Sequence, residues 1–165
     1  MINQKDIKVL ACLRQNPRQT LKEMSKATQV PISTIYDRIK YFEKSIVTRH
    51  TTIIDFSKLG FHTRAHIALK VSKEQREDMK EFLTKHLNIN SVFKINNGYD
   101  FLVECVFRNI KELEEFLEHM ENQFKVKQRE VYYLVDELKR ESFLADKRYA
   151  EYVTNVREPE ITQPF

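Results

Sequence analysis

The sequence predicts an α+β protein: a winged helix-turn-helix domain, then a ferredoxin-like βαββαβ domain, then a C-terminal helical extension. Three observations predict this arrangement. Residues 20–45 have the pattern of two short helices joined by a tight turn. Residues 62–135 alternate between strand-like and helix-like segments. Positive charge is concentrated before residue 62, where eleven Lys and Arg face five Asp and Glu, whereas residues 62–140 carry no net charge.

Length and composition limit the classes of protein to which the chain can belong. At 165 residues it is long enough for two small domains. We place them at 1–54 and 62–140, with a linker over 55–61 and the helical extension and a disordered tail over 141–165. No apolar run approaches the roughly 20 residues of a membrane span, and the first residues lack a signal-peptide core. We therefore expect a cytoplasmic protein with no membrane partner.

Cysteine and glycine usage excludes several kinds of site. The two cysteines, Cys12 and Cys105, lie far apart in apolar surroundings, so we expect buried free thiols. Neither a CxxC motif nor metal-ligand spacing is present, and no metal site is predicted. Phosphate-binding loops need several glycines. Because the chain has only Gly60 and Gly98, we predict no such cofactor and expect each glycine to mark a special turn.

Residues 20–45 contain start and stop signals for two helices. Thr20 and Glu23 have the spacing of a capping box. Residues 29–31 end the first helix, and Pro31 stands where a second helix can begin. The second helix has an apolar stripe at i, i+4 and i+7 that we expect to be buried, formed by Ile35, Ile39 and Phe42. A helix ending near Gln15 and capped by Asn3 and Asp6 would support this pair from behind.

The remaining side chains of the second helix are mostly hydrogen-bonding or basic. With one residue from the segment that follows, they form the predicted DNA-binding set: Ser33, Thr34, Tyr36, Asp37, Arg38, Lys40, Tyr41, Lys44 and Arg49. This composition, in the basic part of the chain, indicates a recognition helix that enters the major groove of duplex DNA. A plain helical hairpin with a solvated polar face is the alternative interpretation.

Different roles are predicted within this set. The first turns of a recognition helix contact base edges, and the candidate base readers there are Ser33, Thr34, Tyr36 and Asp37. The candidate phosphate contacts are basic: Arg38, Lys40, Lys44 and Arg49. Asp37 would accept from a cytosine amine, or would act as a cap or as the salt-bridge partner of Arg38 or Lys40. Arg38 has an intradomain salt bridge as its alternative role.

The rest of the chain predicts a small antiparallel sheet. Residues 46–54 are rich in β-branched side chains and predict a wing hairpin or a single strand. Strands and helices then follow as βαββαβ, at 62–71, 73–87, 92–95, 99–107, 110–124 and 126–135. The helix over 73–87 is expected to bury Met79, Phe82, Leu83 and Leu87. Both helices would cover one sheet face, and dimerisation is the usual way to cover the other.

Residues beyond 140 have a helical period of apolar side chains. These side chains are Ala145, Tyr149, Tyr152, Val153 and Val156. They predict an amphipathic helix that packs on its own domain or on a neighbouring subunit. The final residues, 158–165, are expected to be disordered.

Four short motifs occur in the chain: Asp6-Ile7-Lys8-Val9-Leu10, Asn16-Pro17-Arg18, Ile35-x-x-Arg38-Ile39-Lys40 and Asn97-Gly98-Tyr99-Asp100. In these motifs and in its order of elements, the chain resembles the Lrp/AsnC family of transcriptional regulators. The resemblance covers roughly residues 4–138. It implies a homodimer, often assembled into tetramers or octamers, that binds palindromic operator DNA. Many members of the family also sense an amino acid at contacts between their sheet domains.

The resemblance assigns an effector site to Asn97, Gly98 and Asp100. In this turn the glycine of the family falls at Asn97, and the actual glycine comes one place later. Gly98 and Asp100 would alternatively only shape the hairpin.

Two other functions are compatible with this fold or with this charge pattern. Siroheme decarboxylases are similar to this family in both halves, and His62, Arg64 and His66 share a strand face. The other is a sequence-tolerant DNA-compacting protein.

Overall fold

The computed structural model of the chain describes residues 2–146 and 148–149. Three helices form its N-terminal part. They are α1 (Gln4–Gln15), α2 (Leu21–Thr28) and α3 (Ile32–Ser45). With the described residues from Leu138 onward they make one unit, here called the helical unit; Ile53–Glu137 make a second, the sheet unit.

Side-chain caps begin the first two helices, as predicted. The Asn3 side chain accepts a hydrogen bond from the Asp6 backbone N–H at 3.0 Å, and Asp6 Oδ2 accepts from the Asn3 N–H at 3.0 Å. Thr20 and Glu23 form the second capping box, with a 2.7 Å bond from the Thr20 N–H to Glu23. These bonds satisfy N–H groups that a helix leaves unpaired at its start.

The turn between α2 and α3 is fixed by local hydrogen bonds. Gln29 adopts a left-handed conformation with φ 58°. The Ser25 hydroxyl donates to the Val30 carbonyl at 2.6 Å, and the Thr28 hydroxyl donates to the Met24 carbonyl at 2.7 Å. Pro31 then occupies the N-cap of α3. The predicted helix-turn-helix is confirmed, and its core contains Ile7, Val9, Leu10, Cys12, Met24, Val30, Ile35 and Phe42.

The predicted wing strand is wrong. Within the described residues, positions 47–55 belong to no helix or strand. A strand exists only through hydrogen bonds to a neighbouring strand, and no strand pairs with this segment here. Its β-branched residues Ile53 and Ile54 therefore remain exposed.

The sheet unit has the predicted βαββαβ order. Its elements are β1 (Thr63–Val71), α4 (Arg76–Lys85), β2 (Ile89–Lys94), β3 (Phe101–Phe107), α5 (Ile110–Gln123) and β4 (Val126–Tyr133). The strands lie in the order β2-β3-β1-β4, and all neighbours are antiparallel. Short 3₁₀ helices cover Phe56–Leu59 and Lys73–Gln75. Gly60 and Gly98 both have positive φ, as expected of turn glycines.

The core of the sheet unit confirms the predicted alternation along β1. Thr63, Ala65, Ile67, Leu69 and Val71 are all buried. Met79 and Leu83 of α4 are also buried, and Phe82 is half-buried beside them. Leu87 was expected on the same stripe but is 98 % exposed, because α4 ends at Lys85 and leaves Leu87 in the connection to β2.

Some of the described residues after Leu138 pack on the three helices of the helical unit. Leu144 and Tyr149 lie against its core. Arg14 Nη2 donates to the Glu141 carbonyl at 3.1 Å and to Glu141 Oε2 at 3.0 Å. The predicted helix positions Tyr152, Val153 and Val156, and the tail over 158–165, lie outside the described residues. Both cysteines are buried and are not joined in a disulfide bond, as expected.

Candidate nucleic-acid interface

The recognition helix α3 has one buried face and one exposed face. Ile35 and Phe42 are completely buried and Ile39 is partly buried. At 100° per residue, the row directly opposite consists of Ser33, Asp37, Lys40 and Lys44, and all four side chains are exposed. Tyr36 lies on one flank of this row and Thr34 and Tyr41 on the other. The predicted base readers and most predicted phosphate contacts are therefore accessible.

Lys40 is held over an aromatic ring on the exposed face. Its Nζ lies 4.3 Å from the centroid of the Tyr36 ring, one helical turn earlier. Hydrogen bonding to Tyr36, and then the charge interaction with it, raises the pKa of Lys40 above its ordinary value. The ammonium group is thus charged throughout the neutral pH range and is held over the ring one turn earlier by a cation–π contact.

Arg38 points toward the other helices. Its Nε lies 3.0 Å from Oδ1 of Asp6, whose side chain is 1 % exposed, whereas the Arg38 side chain is 37 % exposed. The intradomain salt bridge, one of two roles predicted for Arg38, is therefore present. Sequence reasoning assigned Asp6 only to the cap of α1, because no local pattern relates it to a residue of α3.

The end of α3 adds two contacts. The Tyr41 ring meets Phe42 edge-on, with centroids 6.0 Å apart, and remains half-exposed. His50 Nε2 lies 3.6 Å from Glu43 Oε1. Arg49, the predicted phosphate contact beyond the helix, is exposed in the segment after α3 that forms no helix or strand. The Glu43–His50 pair had no signal in the sequence.

The predicted effector turn is a tight hairpin connection in the sheet unit. Asn97 has φ 61° and Gly98 has φ 92°, so both occupy the left-handed region. The Asp100 carboxylate accepts from the Val71 N–H at 3.0 Å and contacts Arg76 Nη2 at 2.6 Å. Gly98 thus adopts a left-handed turn conformation, and Asp100 connects the start of β3 to β1 and α4.

A tyrosine–glutamate cluster lies near this turn and was not predicted. The hydroxyls of Tyr99 and Tyr132 both donate to the Glu130 carboxylate. Gln128 Nε2 donates to the Tyr99 hydroxyl at 2.7 Å. The hydrogen bond to Glu130 is the main reason that the pKa of Tyr99 is raised to about 12. Tyr99 lies in the turn before β3 and the other three residues lie in β4, so spacing along the chain gave no indication that Tyr99 meets Glu130.

Two of the three polar residues behind the decarboxylase alternative, His62 and Arg64, line a cavity of about 480 Å³ in the sheet unit, and His66 is not among its lining residues. Arg64 contacts Glu104 at 3.1 Å and Glu137 at 2.7 Å. His66 stands between Glu104 and Tyr132 in the strand register. No group of His, Cys, Asp and Glu in the described part of the chain has the geometry to hold a metal ion. In the same residues, no helix is long and apolar enough to span a bilayer.

A basic helix-turn-helix with an exposed recognition helix, followed by a ferredoxin-like sheet domain, defines a class of two-domain transcriptional regulators. The matching family models agree: "Winged helix-turn-helix DNA-binding" covers residues 2–45 and "Lrp/AsnC ligand binding domain" covers residues 64–143. The chain belongs to the Lrp/AsnC family of transcriptional regulators.

Individual relatives support this assignment. The chain is 32 % identical to the HTH-type transcriptional regulator FL11 of Pyrococcus horikoshii over 114 residues, which are 68 % of this chain and 76 % of that protein. A Neisseria meningitidis transcriptional regulator solved with L-Met has the same fold, with a TM-score of 0.79 and 22 % identity, covering 85 % of this chain and 94 % of that one. E. coli AsnC matches with a TM-score of 0.76 and 17 % identity, covering 85 % and 96 %.

Proposed function

We propose that this regulator binds palindromic operator DNA as a homodimer, with α3 of each subunit in the major groove of one half-site. The observation that carries the proposal is the exposed row Ser33, Asp37, Lys40 and Lys44, directly opposite the buried face of α3. Two-fold related recognition helices read half-sites about one helical turn, roughly 34 Å, apart or a multiple of that distance. A DNA partner supports the proposed cytoplasmic location.

Contacts to phosphate and contacts to bases fall to different residues of α3. Lys40, Lys44 and Arg49 neutralise phosphates, since their charges are exposed. Ser33, Thr34 and Tyr36 reach base edges from the first turns. Tyr41 lies along the flank of the helix, where it contacts the wall of the groove. Arg38 contributes mainly by holding α3 against α1 through Asp6.

The sheet face opposite the two helices supports dimerisation. Phe93, Leu102, Ala68 and Glu130 stand in one register row across that face. Phe93 and Tyr132 remain 55 % and 53 % exposed. Covering such apolar side chains with the same face of a second copy gives the self-complementary contact of a two-fold dimer. Further association into tetramers or octamers would follow the family.

An amino acid is the proposed effector. The related N. meningitidis regulator was solved in complex with L-Met. In this chain, the backbone at Asn97 and Gly98 is exposed at the hairpin turn, and a methyl group built on Gly98 would meet nothing within 4 Å. Asp100 holds this turn in place through Val71 and Arg76. A thermal-shift screen of the twenty amino acids tests the effector proposal, because a ligand that binds only the folded protein raises Tm.

Selection of bound duplexes from a random library tests the DNA-binding proposal. Wild-type protein should recover one palindromic motif with two equivalent half-sites. A variant with Lys40→Ala and Lys44→Ala should recover none at the same salt concentration, because both outward cations of α3 are lost. Recovery of a motif with a single, non-repeated half-site, or of no motif by wild type, would contradict the proposed dimeric recognition.

A further inference from the structure

The outward row of α3 contains one acid, Asp37. It stands between Ser33, one turn before, and Lys40 and Lys44, in the following turns. The N-terminal turns of a recognition helix contact the base edges, so Ser33 and Asp37 are the members of this outward row that penetrate deepest into a groove. A carboxylate in a groove lined by phosphates is electrostatically unfavourable unless it has a partner there.

The partners that Asp37 could find inside the protein are used elsewhere. Arg38 Nε is paired with Asp6 Oδ1 at 3.0 Å. Lys40 Nζ lies over the Tyr36 ring at 4.3 Å. Asp37 does not cap a helix, because it lies in the interior of α3, whose N-cap is Pro31.

Asp37 consequently has its acceptor atoms available to solvent. It forms no hydrogen bond or ion pair with any residue that the structure describes. Its charge adds a small part to the raised pKa of Lys40, without an ion-pair contact. An exposed carboxylate that is free of intramolecular partners can accept a hydrogen bond from a base without first losing one.

We propose that Asp37 is a specificity-determining residue that accepts a hydrogen bond from the exocyclic amine of a cytosine in each half-site. This inference rests on the proposed DNA-binding function. In the major groove cytosine presents a donor, N4–H₂, whereas guanine presents two acceptors and thymine an acceptor and a methyl group. Adenine presents a donor beside an acceptor, N7, which repels a carboxylate.

Rejection of the wrong base contributes as much as attraction to the right one. Against guanine or thymine, the carboxylate would lose water and gain no hydrogen bond, a cost that is not recovered elsewhere. We expect the preference for cytosine at this position to be about 5-fold, the lower end of the range for a good bidentate contact, because the carboxylate accepts a single N4–H bond. Lys40 and Lys44, in the turns that follow Asp37, hold phosphates and so fix the position of the carboxylate in the groove.

The experiment combines a protein variant with a modified base. Wild type and Asp37→Ala are each tested on the selected operator and on an operator in which the relevant cytosine is replaced by 2-pyrimidinone, which lacks the 4-amino group. Wild type should bind the modified operator about 5-fold more weakly. Asp37→Ala should bind both operators equally, and should tolerate every base at that position.

Glu43→Ala is the matched control. Glu43 is an exposed acid on the flank of the same helix, so its removal changes the charge equally. Both variants should bind non-specific duplex more tightly than wild type, but Glu43→Ala should keep the cytosine preference. Thermal melts should show both variants folded, since both side chains are exposed.

The outcomes separate this inference from the function on which it rests. If wild type selects no motif at all, the proposed function fails, and the inference fails with it. If wild type selects a motif but Asp37→Ala keeps the same preference at every position, only the inference about Asp37 is overturned. Equal weakening of wild type and Asp37→Ala by 2-pyrimidinone would also overturn it.

Discussion

Nε of Arg38 lies 3.0 Å from Oδ1 of Asp6, and this ion pair joins the recognition helix α3 to the first helix. The other carboxylate oxygen of Asp6 accepts a hydrogen bond from the Asn3 N–H, which begins α1. One buried carboxylate therefore caps one helix and fixes the orientation of another. The surface presented to DNA depends on a residue that does not itself face DNA.

Replacing this carboxylate should destabilise the helical unit. We expect Asp6→Ala to lower the free energy of unfolding by about 1–3 kcal/mol, because a cap is lost and a charged partner is left unpaired. This loss of unfolding free energy is smaller than for a fully buried ion pair, because the Arg38 side chain is 37 % exposed and water can solvate it. Chemical denaturation followed by circular dichroism measures the change. Asp78→Ala, at an exposed position of α4, is the control and should stay within about 0.5 kcal/mol.

Lys40 and Tyr36 should have separable effects on DNA binding. Lys40→Ala should weaken binding to all duplexes and reduce the slope of log K against log salt by about 0.9, the value for one phosphate contact. Tyr36→Phe keeps the ring under Lys40 but removes the hydroxyl, so it should change base preference with little change in that slope. Fluorescence anisotropy titrations at several salt concentrations distinguish the two. An unchanged slope in Lys40→Ala would place this lysine away from the phosphates.

The described residues of the extension should stabilise the helical unit. Leu144 packs against its core, so Leu144→Ala should cost about 1–2 kcal/mol, less than a fully buried leucine. Leu138→Ala is the matched control, because Leu138 is 90 % exposed and should contribute almost nothing. Equal melting temperatures for the two variants would show that the packing of Leu144 does not contribute to stability.

Stability of the sheet unit should depend on pH through His86. Its ring lies 4.6 Å from that of Phe116. Burial, and then the neighbouring His119, lowers the pKa of His86 below its ordinary value of 6.5. The native state therefore binds this proton more weakly than the unfolded state, so stability is complete above pH 6.5 and is lost as the pH falls toward the lowered pKa. Melting curves from pH 7.5 to 5 measure the loss.

Two variants test that assignment. His86→Gln removes the titrating group and should flatten the pH dependence over this range. His119→Gln removes only the neighbouring charge, so it should reduce the dependence partly. A wild-type slope that persists unchanged in His86→Gln would assign the pH effect to another group.

The elements that sequence predicted well are those whose signals are local. Thr20 and Glu23 stand three residues apart and cap one helix, and the alternation from Thr63 to Val71 reports one sheet face directly. The prediction that Leu87 is buried was wrong because helical periodicity does not reveal where a helix ends. The prediction of a wing strand was wrong because a strand needs a neighbouring strand to pair with, and local composition does not reveal whether one is present.

In the candidate site, too, features with a local sequence signal were predicted, and contacts between distant segments were not. Exposure of the outward row of α3 follows from the period of Ile35 and Phe42. The pairing of Arg38 with Asp6 and of Tyr99 with Glu130 depends on how distant segments meet, and neither has a signature in spacing. The roles of the individual DNA-facing residues, and of the effector turn, stay predictions for the experiments above.

Mapping of bound sites across the genome is the most direct measurement of the central claim, that outward cations of α3 hold operator DNA for base reading. Wild type should occupy a limited number of sites that share one palindromic motif, and Lys40→Ala with Lys44→Ala should lose them while keeping its fold. Uniform coverage of the genome without a motif, or unchanged occupancy by the double variant, would contradict the claim.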